Sequence, residues 1–150
     1  EDKGYTYGAR SGFYGGKLSG EYRASAEVRA DVTDKSIVEL TSEIRRYAQH
    51  GVEDAELGFM RSAIIQRDAL KYETPRAKLG FLGRILEHDL TPDFVRQQTD
   101  IVANISRQEI NALAKKHLDV EQMLILVVGD AATLKPQLQA LDYKVIDYEL

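Results

Sequence analysis

Residues 22–44 read Tyr-Arg-Ala-Ser-Ala-Glu-Val-Arg-Ala-Asp-Val-Thr-Asp-Lys-Ser-Ile-Val-Glu-Leu-Thr-Ser-Glu-Ile, and the hydrophobic period changes partway along them. Tyr22, Ala24, Ala26, Val28 and Ala30 alternate with Arg23, Ser25, Glu27 and Arg29, which places successive side chains on opposite faces of a strand. The alternation stops at Asp31-Val32-Thr33. Ile37, Leu40, Ile44 and Tyr47 then recur at i, i+3, i+7 and i+10, the stripe of an amphipathic helix that Thr33 is placed to cap. A strand period gives way to a helix period here, and the strand period does not resume for most of the chain.

Upstream, Tyr5, Tyr7, Ala9, Ser11 and Phe13 share one face of a first strand. Gly15-Gly16 is expected to supply the positive φ of a tight turn, so residues 5–31 predict a β-hairpin. Downstream, Gly51 stands where a helix C-cap glycine belongs, and Leu57, Met60 and Ile64 mark a second helix. Thr74-Pro75 and Thr91-Pro92 each set a cap before a proline at the first helical position. Ser106 and Glu109 form a capping box ahead of Ile110, Leu113 and Ala114. Met123-Leu-Ile-Leu-Val-Val128 shows no alternation, which predicts a strand buried on both faces. Gly129-Asp130 opens a short helix carrying Leu134, Leu138 and Leu141, and residues 143–148 predict a last strand. The expected order is two strands, five helices, then strand, helix and strand. That is α+β, an antiparallel-rich mixed sheet with helices on one face, in one domain over residues 1–150.

Composition narrows the function. The 150 residues carry a net charge of -4, and no basic stripe offsets it, so a nucleic-acid surface is disfavoured. Zero cysteines exclude disulfides, thiolate metal sites and thiol catalysis. The longest apolar run, Met123 to Val128, falls far short of the ~20 residues of a membrane helix.

Candidate chemistry is sparse. His50, His88 and His117 lie far apart, without the one-turn spacing of helical zinc ligands, and each sits where a helix ends and a cation suits the dipole. Gly12-Phe-Tyr-Gly-Gly-Lys17 lacks the Ser or Thr that closes a phosphate loop, and it joins two strands, so it reads as a turn. Gly129 makes a turn and Asp130 caps the helix after it. Glu73 and Glu87 end charged stretches and read as solvated, and Tyr72 reads as a packing residue. Tyr5 and Tyr7 lie side by side on one face. A phenol that stays protonated at neutral pH can donate to a developing oxyanion, or the two rings can cover the edge of a hairpin.

Glu1-Asp-Lys-Gly-Tyr-Thr-Tyr-Gly8 resembles a segment of the C-terminal halves of pitrilysin/insulinase-family zinc metallopeptidases, the inverzincins with a His-x-x-Glu-His motif. The resemblance continues through Ala24 to Asp31, the acidic helix pair around Gly51, Tyr72-Glu-Thr-Pro75 and Val127-Val-Gly-Asp130, nearly the whole chain. It implies that zinc is held by two histidines and a glutamate in a partner half, either in the same chain or in a separate subunit. The homologous metal-free half lends an arginine and a tyrosine to the scissile carbonyl region. Tyr7 matches the tyrosine, and the arginine would fall immediately before Glu1. Tyr5 matches a position often apolar, which implies packing. The segment around Ala63-Ile64-Ile65 matches the family's ligand helix but offers no ligand. Upstream strands and a helix of the family domain are expected outside this sequence. The function implied is the non-catalytic, substrate-binding half of a zinc endopeptidase, inactive alone, with no cofactor of its own and with a peptide as substrate. The Gram-negative periplasm is the compartment that the composition and resemblance suggest. The alternatives are a scaffold subunit of the same family, and an unrelated α+β module with an enclosed apolar pocket.

Overall fold

The computed structural model describes residues 3–66 and 73–148, together with the backbone alone at residues 67 and 68. Glu1, Lys71 and Tyr72, with the packing role expected of Tyr72, lie outside the described residues. Strands β1 (Thr6–Gly15) and β2 (Gly20–Val28) form a two-stranded antiparallel sheet. Helices α1 (Thr33–His50), α2 (Asp54–Asp68), α3 (Pro75–His88), α4 (Phe94–Asn104), α5 (Arg107–His117) and α6 (Ala131–Gln139) follow. The class is α+β.

The chain divides into two compact units. The first comprises Glu1–Tyr14, Gly20–Arg46 and Leu118–Leu150. Its core gathers Val32, Thr33, Ile44, Leu118 and Leu134. Alternation holds on β2, where Tyr22, Ala24 and Val28 are partly covered. Phe13 and Tyr22 meet across the hairpin with ring centroids 5.0 Å apart. A 3-10 turn, Ala30–Val32, runs straight into α1. Thr33 therefore does not cap α1 from outside: it is helical, buried, and its hydroxyl donates back to the carbonyl of Ala30 at 3.1 Å. Gln137 of α6 donates to that same carbonyl at 3.0 Å. Arg45 of α1 pairs with Glu121 at 2.8 Å.

The second unit comprises Gly15–Ser19 and Tyr47–His117. Within it, Gly51 ends α1 at φ 70°, its amide donating to the carbonyl of Tyr47 at 2.7 Å. Among the described residues, Leu57 and Ala114 are its buried apolar ones. Met60, expected in the α2 stripe, is exposed. Arg61 turns inward instead and donates through Nε to the carbonyl of Val102 at 3.2 Å and through Nη2 to that of Ile105. Thr74 caps α3, its hydroxyl accepting from the amide of Ala77 at 3.2 Å. Thr91-Pro92 opens a turn, and α4 begins later, at Phe94. The Ser106–Glu109 capping box forms in both directions, at 2.8 and 3.2 Å.

Two expected strands and one expected turn differ. Residues 123–128 and 143–148 belong to no ladder among the described residues. Met123 is extended, yet Leu124, Leu126 and Val128 are 88%, 72% and 85% exposed rather than buried. An apolar run signals a need for burial, but a ladder needs a neighbouring strand to bond. The hairpin also closes without positive φ at Gly15 or Gly16, because a longer connection carries the amide of Gly16 to the carbonyl of Ser19 at 2.8 Å.

Candidate functional site

The strand period that built β1 also decides what its tyrosines face. Tyr7 is fully exposed, and its hydroxyl has no hydrogen-bond partner among the described residues. Its neighbour Thr6 fixes the strand locally, donating to the carbonyl of Glu27 at 2.7 Å and accepting from the amide of Gly8 at 3.1 Å. The phenol of Tyr7 thus projects from a backbone tied on both sides. Tyr5 is partly covered and lines a shallow cleft of about 260 Å³ with Lys3, Asp34, Lys35, Val38, Glu39 and Leu141. The two rings are therefore distinct in surroundings. Neither is sealed in a core.

The cleft is polar. Lys3 Nζ reaches Glu39 at 2.5 Å, and this hydrogen bond holds the Lys3 ammonium above its ordinary pKa. Ligand pockets commonly run from about 300 to 1,000 Å³ and bury most of their occupant. This one is smaller and rimmed by charge, so it does not match the enclosed apolar pocket expected of an unrelated ligand-binding module. Sequence patterning missed its charged rim, because Lys3 and Glu39 are brought together only by the fold.

The other candidates fall at helix ends and turns. His50 closes α1, His88 closes α3 and His117 closes α5. His88 Nε2 lies 3.9 Å from Glu87, whose side chain is well exposed. Glu73 is exposed just ahead of α3. Asp130 caps α6, accepting from the amide of Thr133 at 3.1 Å, and the Thr133 hydroxyl with that amide holds its carboxyl below the usual range. Gly12–Lys17 forms the end of β1 and the hairpin connection. No group of three or more His, Cys, Asp or Glu side chains that could hold a metal occurs among the described residues. Likewise, among the described residues no helix is long and apolar enough to cross a membrane.

No family model matches this chain, and no curated protein matches it. Among solved structures, it is similar to the crystal structure of a peptidase M16 inactive domain from Pseudomonas fluorescens, with a TM-score of 0.72 at 19% identity. The match covers 80% of this chain and 28% of the other, so the chain spans less than a third of that structure's length. At this identity the likeness is one of fold.

Proposed function

We propose that this chain is a domain-sized piece of the non-catalytic, substrate-binding half of a pitrilysin/insulinase-type zinc endopeptidase. The observation that carries the reading is Tyr7, an exposed phenol with no partner among the described residues, standing on a fold similar to that of an inactive peptidase domain. On this reading the metal and the hydrolytic chemistry belong to a partner half. What this chain contributes is positional. The half closes over a peptide, excludes water, and aims the Tyr7 hydroxyl at the oxygen that gains negative charge as the carbonyl becomes tetrahedral. A phenol suits that role because its single O–H can be aimed as a donor from a fixed ring.

The test is Tyr7→Phe in the full-length enzyme, read by steady-state kinetics on a quenched peptide. Loss of one oxyanion donor lowers kcat on the order of 10²–10³-fold, with KM changing far less. An unchanged kcat would retire the Tyr7 role, whereas a full-length protein with no peptidase activity would favour the alternative, an inactive scaffold subunit of the same family. Metal analysis of the purified chain gives a second check. Stoichiometric zinc bound here would contradict the division of labour.

A further inference from the structure

Helix α3 carries apolar residues on two sides. Ala77, Phe81 and Ile85 are partly covered, whereas Leu79, Leu82 and Leu86 are 71%, 55% and 79% exposed. Those three leucines follow i, i+3, i+7 spacing, a straight seam along the outer face of the helix. Arg76 and Glu87 flank this seam eleven residues apart, about three turns, and so lie on the same side of it. Lys78 lies on the other side of the seam, and Asp89 is the left-handed C-cap residue just beyond the helix.

The charges run against the helix. Cations at the first turn and carboxylates at the last oppose the macrodipole, which favours the reverse placement. His88 is the basic residue of the last turn. Arg76 and Lys78 have no ion pair among the described residues. Among the described residues Glu87 has His88 at 3.9 Å and Asp89 has Lys17 at 3.8 Å.

We propose that this face of α3 packs antiparallel against the α3 of a second copy. A two-fold axis beside Leu82 sets Leu79 of one copy against Leu86 of the other, and Leu82 against its own equivalent. The same axis brings Arg76 to Glu87 across the seam, the pair occurring twice. The partner must therefore be identical in sequence and reversed in direction, as an isologous contact requires. Each basic end then meets the acidic end of its neighbour, which resolves the unfavourable placement along the helix. This inference does not depend on the peptidase reading.

Sedimentation equilibrium of the full-length protein over a range of concentrations tests it. The parent should dimerise reversibly. Leu82→Glu, at an exposed position, should be monomeric with unchanged circular dichroism. Arg76→Glu and Glu87→Arg should each weaken the dimer about tenfold, because each reversal acts at two symmetric pairs, and the double variant should restore it to within about threefold of the parent. This chain has no cysteine, so Leu82→Cys exposed to dissolved oxygen with a copper catalyst, which takes up the two electrons and two protons of the paired thiols, should form a symmetric cross-linked dimer. A protein that stays monomeric overturns the proposal. So does a dimer indifferent to the charge swap, or one that Leu82→Cys does not cross-link.

Discussion

Gly51 has two independent reasons to remain a glycine. Its φ of 70° is left-handed, and a Cβ built there would lie 2.0 Å from the side chain of Asn111, which itself accepts from the amide of Val52 at 2.9 Å. Gly51→Ala should destabilise by about 2 kcal/mol or more, combining the left-handed penalty with displacement of Asn111, and urea unfolding of the variant checks it. The sequence revealed the first reason, since a glycine after a helical stripe reads as a cap. The second, a contact with a residue in α5, was not legible, because no local pattern joins Gly51 to Asn111. Caps also set the acid response. The Ser106 hydroxyl and amide hold Glu109 below the ordinary carboxylate range, and Thr133 does so for Asp130. A carboxyl more acidic folded than unfolded adds stability that is complete above its unfolded pKa, about 4, and is lost as pH falls through the folded value. The urea midpoint should therefore stay flat near neutrality and fall on the acid side. Glu109→Gln combined with Asp130→Asn should make that fall shallower; an identical acid limb would refute the assignment.

Among elements, α2 shows where periodicity misleads. Leu57 and Ile64 do turn inward as the stripe predicts, but Arg61 replaces Met60 on the inner face. It does so because the last turn of α4 leaves carbonyls that no helical amide can reach, and a guanidinium with several donors satisfies two of them. Arg61→Ala should cost about 2 kcal/mol, since hydrogen bonds from a charged donor are worth roughly 1.5–3. Faster amide exchange in α4 would accompany the loss, and Arg61→Met, which keeps the aliphatic stem, should not rescue it. Single-residue signals fared better where the cap chemistry is complete. Thr74 and the Ser106–Glu109 box both bond as read. Thr91-Pro92 misplaced the start of α4, because proline fixes its own φ without obliging the next residues to be helical. The exposed seam on α3 was invisible too, since alternating apolar faces on one helix blur the period that reveals either.

At the scale of the whole molecule, the order of strand and helix periods was enough to give the α+β class. It was not enough to give the sheet. Residues 123–128 announce their hydrophobicity plainly, but a strand is a relation between two segments, and only β1 and β2 are paired among the described residues. The Tyr7 reading has the same character: the phenol was identifiable from sequence, whereas its exposure came from the fold. Leu126→Lys, on the uncharged and largely exposed apolar run, should leave helix content unchanged while reducing light scattering by the concentrated chain. The same six residues bear on how the chain recovers from urea. Two molecules that meet while still extended can pair through this run before either has packed, a second-order event competing with a first-order one. Recovered yield on dilution should consequently drop more steeply than in proportion as the starting concentration rises.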